Sequence, residues 1–195
     1  MIRRTLDGFR SLLKRFARSR EGAAAVEFAL ILPFMLSLYA GSIELSDLIS
    51  VDRRITVIAA TVGDLVARKD GDIYNDELTD YFNAAEEIIT PYKTVSLEQL
   101  ITCVKVSAAG VATVEWSKGN GGATEKAQNA ILTTAVFPDA IRNISKGKYV
   151  IMSETQYSYK PLMGIVFKNA LTLYKQNFHL PRFGDNITWV AGNRP

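Results

Sequence analysis

Apolar residues run nearly unbroken from Gly22 to Ile43 (GAAAVEFALILPFMLSLYAGSI), interrupted by one charge at Glu27. Roughly twenty such residues in a helix cover about 30 Å of hydrocarbon, so the pattern predicts one transmembrane helix, and no other stretch is comparable. Beyond it Leu48, Val51, Ile55, Ile58, Val62 and Leu65 recur in steps of three and four. That is a single stripe, so the helix is expected to leave the membrane unbroken and lay the stripe on a folded domain, or on another subunit as a short coiled coil. Asp70-Gly71-Asp72 then marks a turn.

The remaining pattern predicts a small mixed domain. Leu78, Tyr81, Phe82, Ala85 and Ile88 or Ile89 share a helical face over 76–89, with Asp76 and Glu77 favouring its start and Thr90-Pro91 its end. Two β-branched runs, Gln99 to Ser107 and Val111 to Ser117, flank Ala108-Ala109-Gly110 and read as a β-hairpin. Lys118-Gly119-Asn120-Gly121-Gly122 is expected to be a flexible turn. Ala123 to Phe137 reads as a helix with Ala127, Ala130, Ile131 and Ala135 inward and Pro138 closing it. Lys148 to Tyr159 alternates most plainly, Tyr149, Ile151, Tyr157 and Tyr159 on one face against Glu154 and Gln156 on the other. Leu171 to Leu180 and Ile187 to Val190 supply two further strands. The expected fold class is α+β: a long N-terminal transmembrane helix continuing into a small antiparallel-sheet periplasmic domain.

Charge orients this arrangement. The net charge is only +3, but Arg3, Arg4, Arg10, Lys14, Arg15, Arg18 and Arg20 precede the apolar run, against Asp7 and Glu21, while Asp47 and Asp52 stand beyond it. The positive-inside rule puts the amino terminus in the cytoplasm and exports the carboxy-terminal domain. With the basic residues gathered on a tail rather than on a folded face, a nucleic-acid partner is not expected. Ile2, Leu6, Phe9, Leu13 and Phe16 share one face of a helix whose other face is basic, as in a segment lying on an anionic leaflet. A mitochondrial transit peptide shows the same pattern, but the membrane run that follows at once favours the leaflet.

Chemistry is sparse. Cys103, the only cysteine, excludes an intramolecular disulfide and reads as a small buried hydrophobe in an apolar run. The only histidine, His179, has no Cys, Asp or Glu at metal-ligand spacing, and no Ser-His-Asp arrangement assembles around it locally. An envelope hydrolase built on His179 is the weakest functional reading. The glycine-rich 118–122 stretch lacks the order of a phosphate-binding loop, and Asp70 and Asp72 lack a calcium-loop pattern. No cofactor, no metal and no enzymatic activity are expected.

Pro33 removes one helix hydrogen bond and should kink the helix, which membrane helices tolerate. Glu27 asks for an explanation, since an acidic side chain at mid-bilayer costs on the order of 2.5–3.5 kcal/mol, less near the interface, and usually has a partner. Gly22-Ala23-Ala24-Ala25-Val26-Glu27-Phe28, after a basic leader and before an apolar helix, resembles the prepilin peptidase site of type IV pilins. More narrowly, Arg20 to Leu30, continuing through Leu32-Pro33 to Gly41 and Glu44-Leu45, resembles the TadE-like minor pseudopilins of tight-adherence (Flp) pilus systems. Tyr157-Ser158-Tyr159-Lys160-Pro161 adds a weaker second match. The resemblance is close over residues 18 to 60 and architectural beyond.

The resemblance implies cleavage between Gly22 and Ala23 and a charged amine on Ala23. It also implies a Glu27 that pairs with that amine on a neighbouring subunit, with Phe28 beside it in the assembly surface. The partners implied are the inner membrane, a prepilin peptidase and the other pilins and pseudopilins of the machinery. Alternatively, Glu27 snorkels to the cytoplasmic interface of an uncleaved anchor, or a conventional signal peptide is cut after Ser42 in Ala40-Gly41-Ser42. The organisation expected is a basic cytoplasmic leader over 1–22, a transmembrane helix with an amphipathic extension over 23–68, and an exported globular domain over 69–195. Localisation follows as a single-pass inner-membrane protein with a periplasmic domain that enters or primes a pilus. A membrane-anchored periplasmic sensor or ligand-binding module is the alternative.

Overall fold

The computed structural model describes residues 20–161, 163–184 and 186–194. The basic leader up to residue 19, including the apolar face from Ile2 to Phe16, lies outside the described residues. Helix α1 spans Arg20–Ala67. It is followed by β1 (Asp72–Tyr74), α2 (Asn75–Ile89), a 3-10 turn (Thr94–Ser96), β2 (Leu97–Val106), β3 (Ala112–Asn120), α3 (Asp139–Ile144), β4 (Tyr149–Tyr159), β5 (Leu171–His179) and β6 (Thr188–Val190). The expected α+β class holds. The described residues divide into two compact units, one within 1–46 and 162–168 and the other within 47–161 and 169–195.

In the first unit, α1 is continuous through Pro33. Every residue from Ala23 to Tyr39 is exposed, large apolar side chains included. A soluble protein rarely presents so extensive an apolar surface, and lipid is the solvent that suits it. Both serine hydroxyls on this part of the helix are satisfied internally: Ser37 Oγ donates to the Pro33 carbonyl at 2.8 Å and Ser42 Oγ to the Tyr39 carbonyl at 2.7 Å. In a medium without water, such back-bonding spares an unsatisfied polar group.

The second unit is built on a four-stranded sheet, order β3-β2-β4-β5, antiparallel throughout. Alternation along β2 and β4 divides its side chains between two cores. Leu97, Ile101, Cys103, Ile151, Tyr157 and Tyr159 join Val51, Ile55, Ile58 and Val62 of α1 and Leu78, Phe82, Ala85 and Ile89 of α2. Val104, Val106, Val150 and Met152 meet Ala112, Val114, Leu132 and Phe137 in the second core. The stripe expected after the membrane segment is thus the buried face of α1, with Leu48 and Leu65 at its margins. Each fully buried isoleucine there contributes about 1.5–3 kcal/mol of apolar burial.

A β-bulge lets one strand serve both cores. Cys103 pairs with Trp116 but Val104 pairs with Val114, so Glu115 is the extra residue. Without it Val114 and Trp116, two apart, would face the same way; with it Val114 joins the second core and Trp116 the first. Trp116 Nε1 also donates to the Ile187 carbonyl at 2.6 Å, next to the short parallel pair β1–β6.

Two local expectations are corrected. Residues 123–137 are not helical. They run along the outer edge of β3, where the Val114 N–H donates to the Ala130 carbonyl, the Asn129 N–H to the Val114 carbonyl and the Leu132 N–H to the Ala112 carbonyl. Asn129 is left-handed (φ 62°), which no α-helix interior accommodates, and the open edge of β3 supplied hydrogen-bond partners that a helix would have had to find within itself. Ile131 is exposed as a result, and Pro138 precedes the helix α3 instead of ending one. Likewise Lys118, Gly119 and Asn120 extend β3, leaving only Gly121-Gly122 to turn. Lys118 is fixed over the Trp189 ring at 4.1 Å and paired with Glu125 at 2.9 Å.

Candidate functional site

Gly22, Ala23, Glu27 and Phe28 all fall within the first turns of α1. Ala23 and Glu27 are four apart and so share a helix face, with Phe28 beside them. Glu27 and Phe28 are exposed, and among the described residues none pairs with the Glu27 carboxylate. Among the described residues, this acidic group on an apolar helix surface thus has no counter-charge.

At the far end of the exposed run a second carboxylate is treated in the opposite way. Glu44 is 2% exposed. Its Oε1 accepts the Gly164 N–H at 3.0 Å and its Oε2 the Val166 N–H at 2.7 Å. Gly41, one turn earlier, permits the approach, since a Cβ there would lie 3.2 Å from Val166 Cγ2. The loop Met163–Lys168 is thereby held on α1 by charge-assisted hydrogen bonds to backbone. The sequence named Glu44 only within the resemblance; its place at the end of the apolar run was the available signal, but the loop partner is more than a hundred residues away.

In the second unit, a further acidic side chain of the helix acts as an anchor. Asp47 Oδ1 accepts the Tyr92 hydroxyl at 2.5 Å and Oδ2 accepts the Tyr159 hydroxyl at 3.0 Å. Burial, reinforced by the neighbouring Asp47 charge, pushes the Tyr92 hydroxyl up to about 12. The Tyr92 phenol therefore stays protonated and donating at physiological pH. Arg54 completes the cluster, donating Nη1 to the Ile88 carbonyl at 2.7 Å and standing 5.8 Å from the Tyr92 ring. Sequence reading gave Asp47 no role beyond orientation; Tyr159 is the second tyrosine of the Tyr-x-Tyr-x-Pro segment noted above.

The lower end of α1 is fixed in the same manner. Arg182 donates its backbone N–H to the Ala67 carbonyl at 2.8 Å and its guanidinium to Asp64 at 2.7 Å, so a cation covers the carbonyl end of the helix. Arg68 also binds Asp64, and hydrogen bonds from the two guanidinium groups hold its carboxyl below the usual carboxylate range.

His179 and Cys103 serve the interior. The His179 ring lies against Gly63 so closely that a Cβ there would meet Cδ2 at 2.5 Å. Nε2 is buried with no hydrogen-bond partner among the described residues, and burial holds the imidazole below its ordinary value. Cys103 is fully buried in the first core, which pushes its thiol up to about 12 and leaves it an inert hydrophobe. Among the described residues no three His, Cys, Asp or Glu side chains gather as a metal site would require.

One exposed apolar helix with the length and composition to cross a bilayer, continuous with the core helix of a small α+β unit, has the features of a single-pass membrane anchor. Residues 22–63 match the family model TadE, described as TadE-like protein. That match begins at the first residue of the Gly22-Ala23 pair, ends within the buried stripe of α1, and suggests involvement in Tad pilus systems. No curated protein and no solved structure matches the chain.

Proposed function

We propose that this protein is a minor pseudopilin taking part in assembly of a tight-adherence pilus. In this reading a prepilin peptidase cuts between Gly22 and Ala23, and the new Ala23 amine pairs with Glu27 of a neighbouring subunit. The observation that carries the reading is Glu27 itself, exposed on an otherwise apolar helix face and unpaired among the described residues. Two charges that are each costly in lipid offset one another when they meet, and the meeting fixes the axial stagger of packed helices. The protein acts through helix packing and not through catalysis. In support, the ring of its sole histidine packs against Gly63.

Mass measurement or amino-terminal sequencing of the protein from its native host tests the reading. Loss of residues 1–22 is the expected result, and an intact amino terminus rejects it. A second reading, a membrane-anchored periplasmic ligand-binding module, draws on a cavity of about 320 Å³ lined by Ile141, Ile144, Val150, Phe178, His179 and Leu180. That reading requires no cleavage, so the same measurement separates the two.

A further inference from the structure

Loop residues Met163 to Lys168 carry a surface that the pilin reading does not use. Met163, Ile165 and Val166 are 50%, 47% and 50% exposed, a cluster of large apolar side chains turned outward from a short irregular segment. The same compact unit contains this segment and the exposed apolar part of α1. Gly164, at φ 66°, supplies the left-handed turn that lets the N–H groups of residues 164 and 166 reach one carboxylate, Glu44.

Depth along the helix gives the cluster its meaning. From Ala23 to Glu44 the helix rises about 31 Å at 1.5 Å per residue, which is the thickness of the hydrocarbon core. A loop tethered to Glu44 and touching Gly41 therefore lies at the boundary between hydrocarbon and headgroups. Tyr39, itself exposed, stands at the level where aromatic side chains concentrate in membrane proteins, and Lys168 is exposed at the loop's end. Irregular backbone is excluded from the hydrocarbon interior because its polar groups find no partner there. Here Glu44 supplies that partner for two N–H groups, and the two N–H groups in turn stabilise a carboxylate that would otherwise be costly at this depth.

We propose that Met163–Lys168 is a second membrane contact, a lipid-inserting loop whose Met163, Ile165 and Val166 side chains enter the bilayer interface beside α1 while Glu44 holds its backbone. The occupant of this apolar surface is lipid because the surface is continuous, within one unit, with the lipid-facing helix and lies at interfacial depth. Lys168 reaches toward lipid phosphates, its apolar stem following the loop inward. The loop gives the helix a wedge on one side at its exit, and so a preferred rotation about its own axis in the membrane.

The proposal rests on α1 spanning the bilayer, and the test reads the two separately. In the full-length chain carrying Cys103→Ala, single cysteines at Leu36, Ile165 and Val95 are labelled with an environment-sensitive fluorophore. The protein is then reconstituted in vesicles of phosphatidylethanolamine and phosphatidylglycerol. Quenching by lipid-borne nitroxides, with loss of quenching by aqueous iodide, is expected at positions 36 and 165, whereas position 95, on an exposed 3-10 turn, keeps full iodide quenching. Lipid quenching at 36 with iodide quenching at 165 overturns the loop proposal and leaves the span intact. Shielding of 165 from both quenchers also overturns it, since the loop is then covered by protein. Iodide quenching at 36 overturns the span and the proposal together. Adding Glu44→Ala should restore iodide access at 165 without changing 36; an unchanged reading at 165 rejects Glu44 as the tether.

Discussion

Tyr159 lies 112 residues from Asp47 in the chain, yet its hydroxyl donates to Asp47 Oδ2 at 3.0 Å, while Tyr92 occupies the other carboxylate oxygen. One acidic side chain on α1 thus ties together the end of the central strand β4 and the segment that follows α2. Hydrophobic burial brings α1 to the sheet, but it is directionless; the Asp47 contacts fix helix rotation and register because they are made in one geometry only.

Replacing Tyr159 by Phe removes a hydrogen bond to a charged acceptor and is expected to cost about 1.5–3 kcal/mol. Equilibrium denaturation in detergent measures it. Tyr92→Phe should couple with it, because the carboxylate that keeps one phenol is not stranded while the carboxylate that loses both is. Additive losses would show that the two contacts are independent.

Glu27→Val separates insertion from assembly. Removing the charge relieves up to about 2.5–3.5 kcal/mol of insertion cost, the mid-bilayer value, so membrane integration should be maintained or improved. Fibre formation should nevertheless fall sharply, scored by pilus counts in a complemented deletion strain. Normal pilus levels with this variant would remove the charge-pairing account.

Gly63→Ala sets two effects against each other. Alanine gains roughly 1 kcal/mol of helix propensity over glycine. Its Cβ would lie 2.5 Å from His179 Cδ2 and 3.1 Å from Ser153 Cβ, and overpacking of this kind costs about 1–3 kcal/mol. Net destabilisation is expected in the natural background and net stabilisation once His179 is also alanine. The same sign in both backgrounds would contradict the packing described.

Acid should destabilise the folded unit in two steps. Burial depresses the His179 pKa from 6.5, so its contribution is complete above pH 6.5 and is lost as pH falls from there toward the folded value. Asp64 is depressed from 3.8 by Arg68 and Arg182, so its contribution is present above about pH 4 and disappears as pH drops through its lower folded value. His179→Gln should abolish the first step alone and Arg182→Gln should diminish the second, read as melting temperature against pH in detergent.

Periodicity was a sufficient guide wherever one face of an element meets a single environment. The exposed apolar run to Ile43, the stripe from Val51 to Val62, the α2 face and the alternation in β4 were all legible for that reason. It failed at residues 123–137, whose alanines and β-branched residues spell a helix locally while the free edge of β3 draws them into an extended pairing. The strand at Ile187 to Val190 was legible, but its parallel pairing with β1 was not, since β1 is too short to show a period and its partner lies at the other end of the chain.

The sequence by itself determined that an acidic residue sits five positions past Gly22 on an apolar helix long enough to cross a bilayer, because hydropathy, helix rise and charge are properties of neighbouring residues. Only the tertiary structure decided what Glu44 and Asp47 do. Their partners, Gly164 and Val166 for one and Tyr92 and Tyr159 for the other, are set by the path of the chain after the sheet has formed, and a hydrogen bond made across such separations leaves no spacing in the sequence to read.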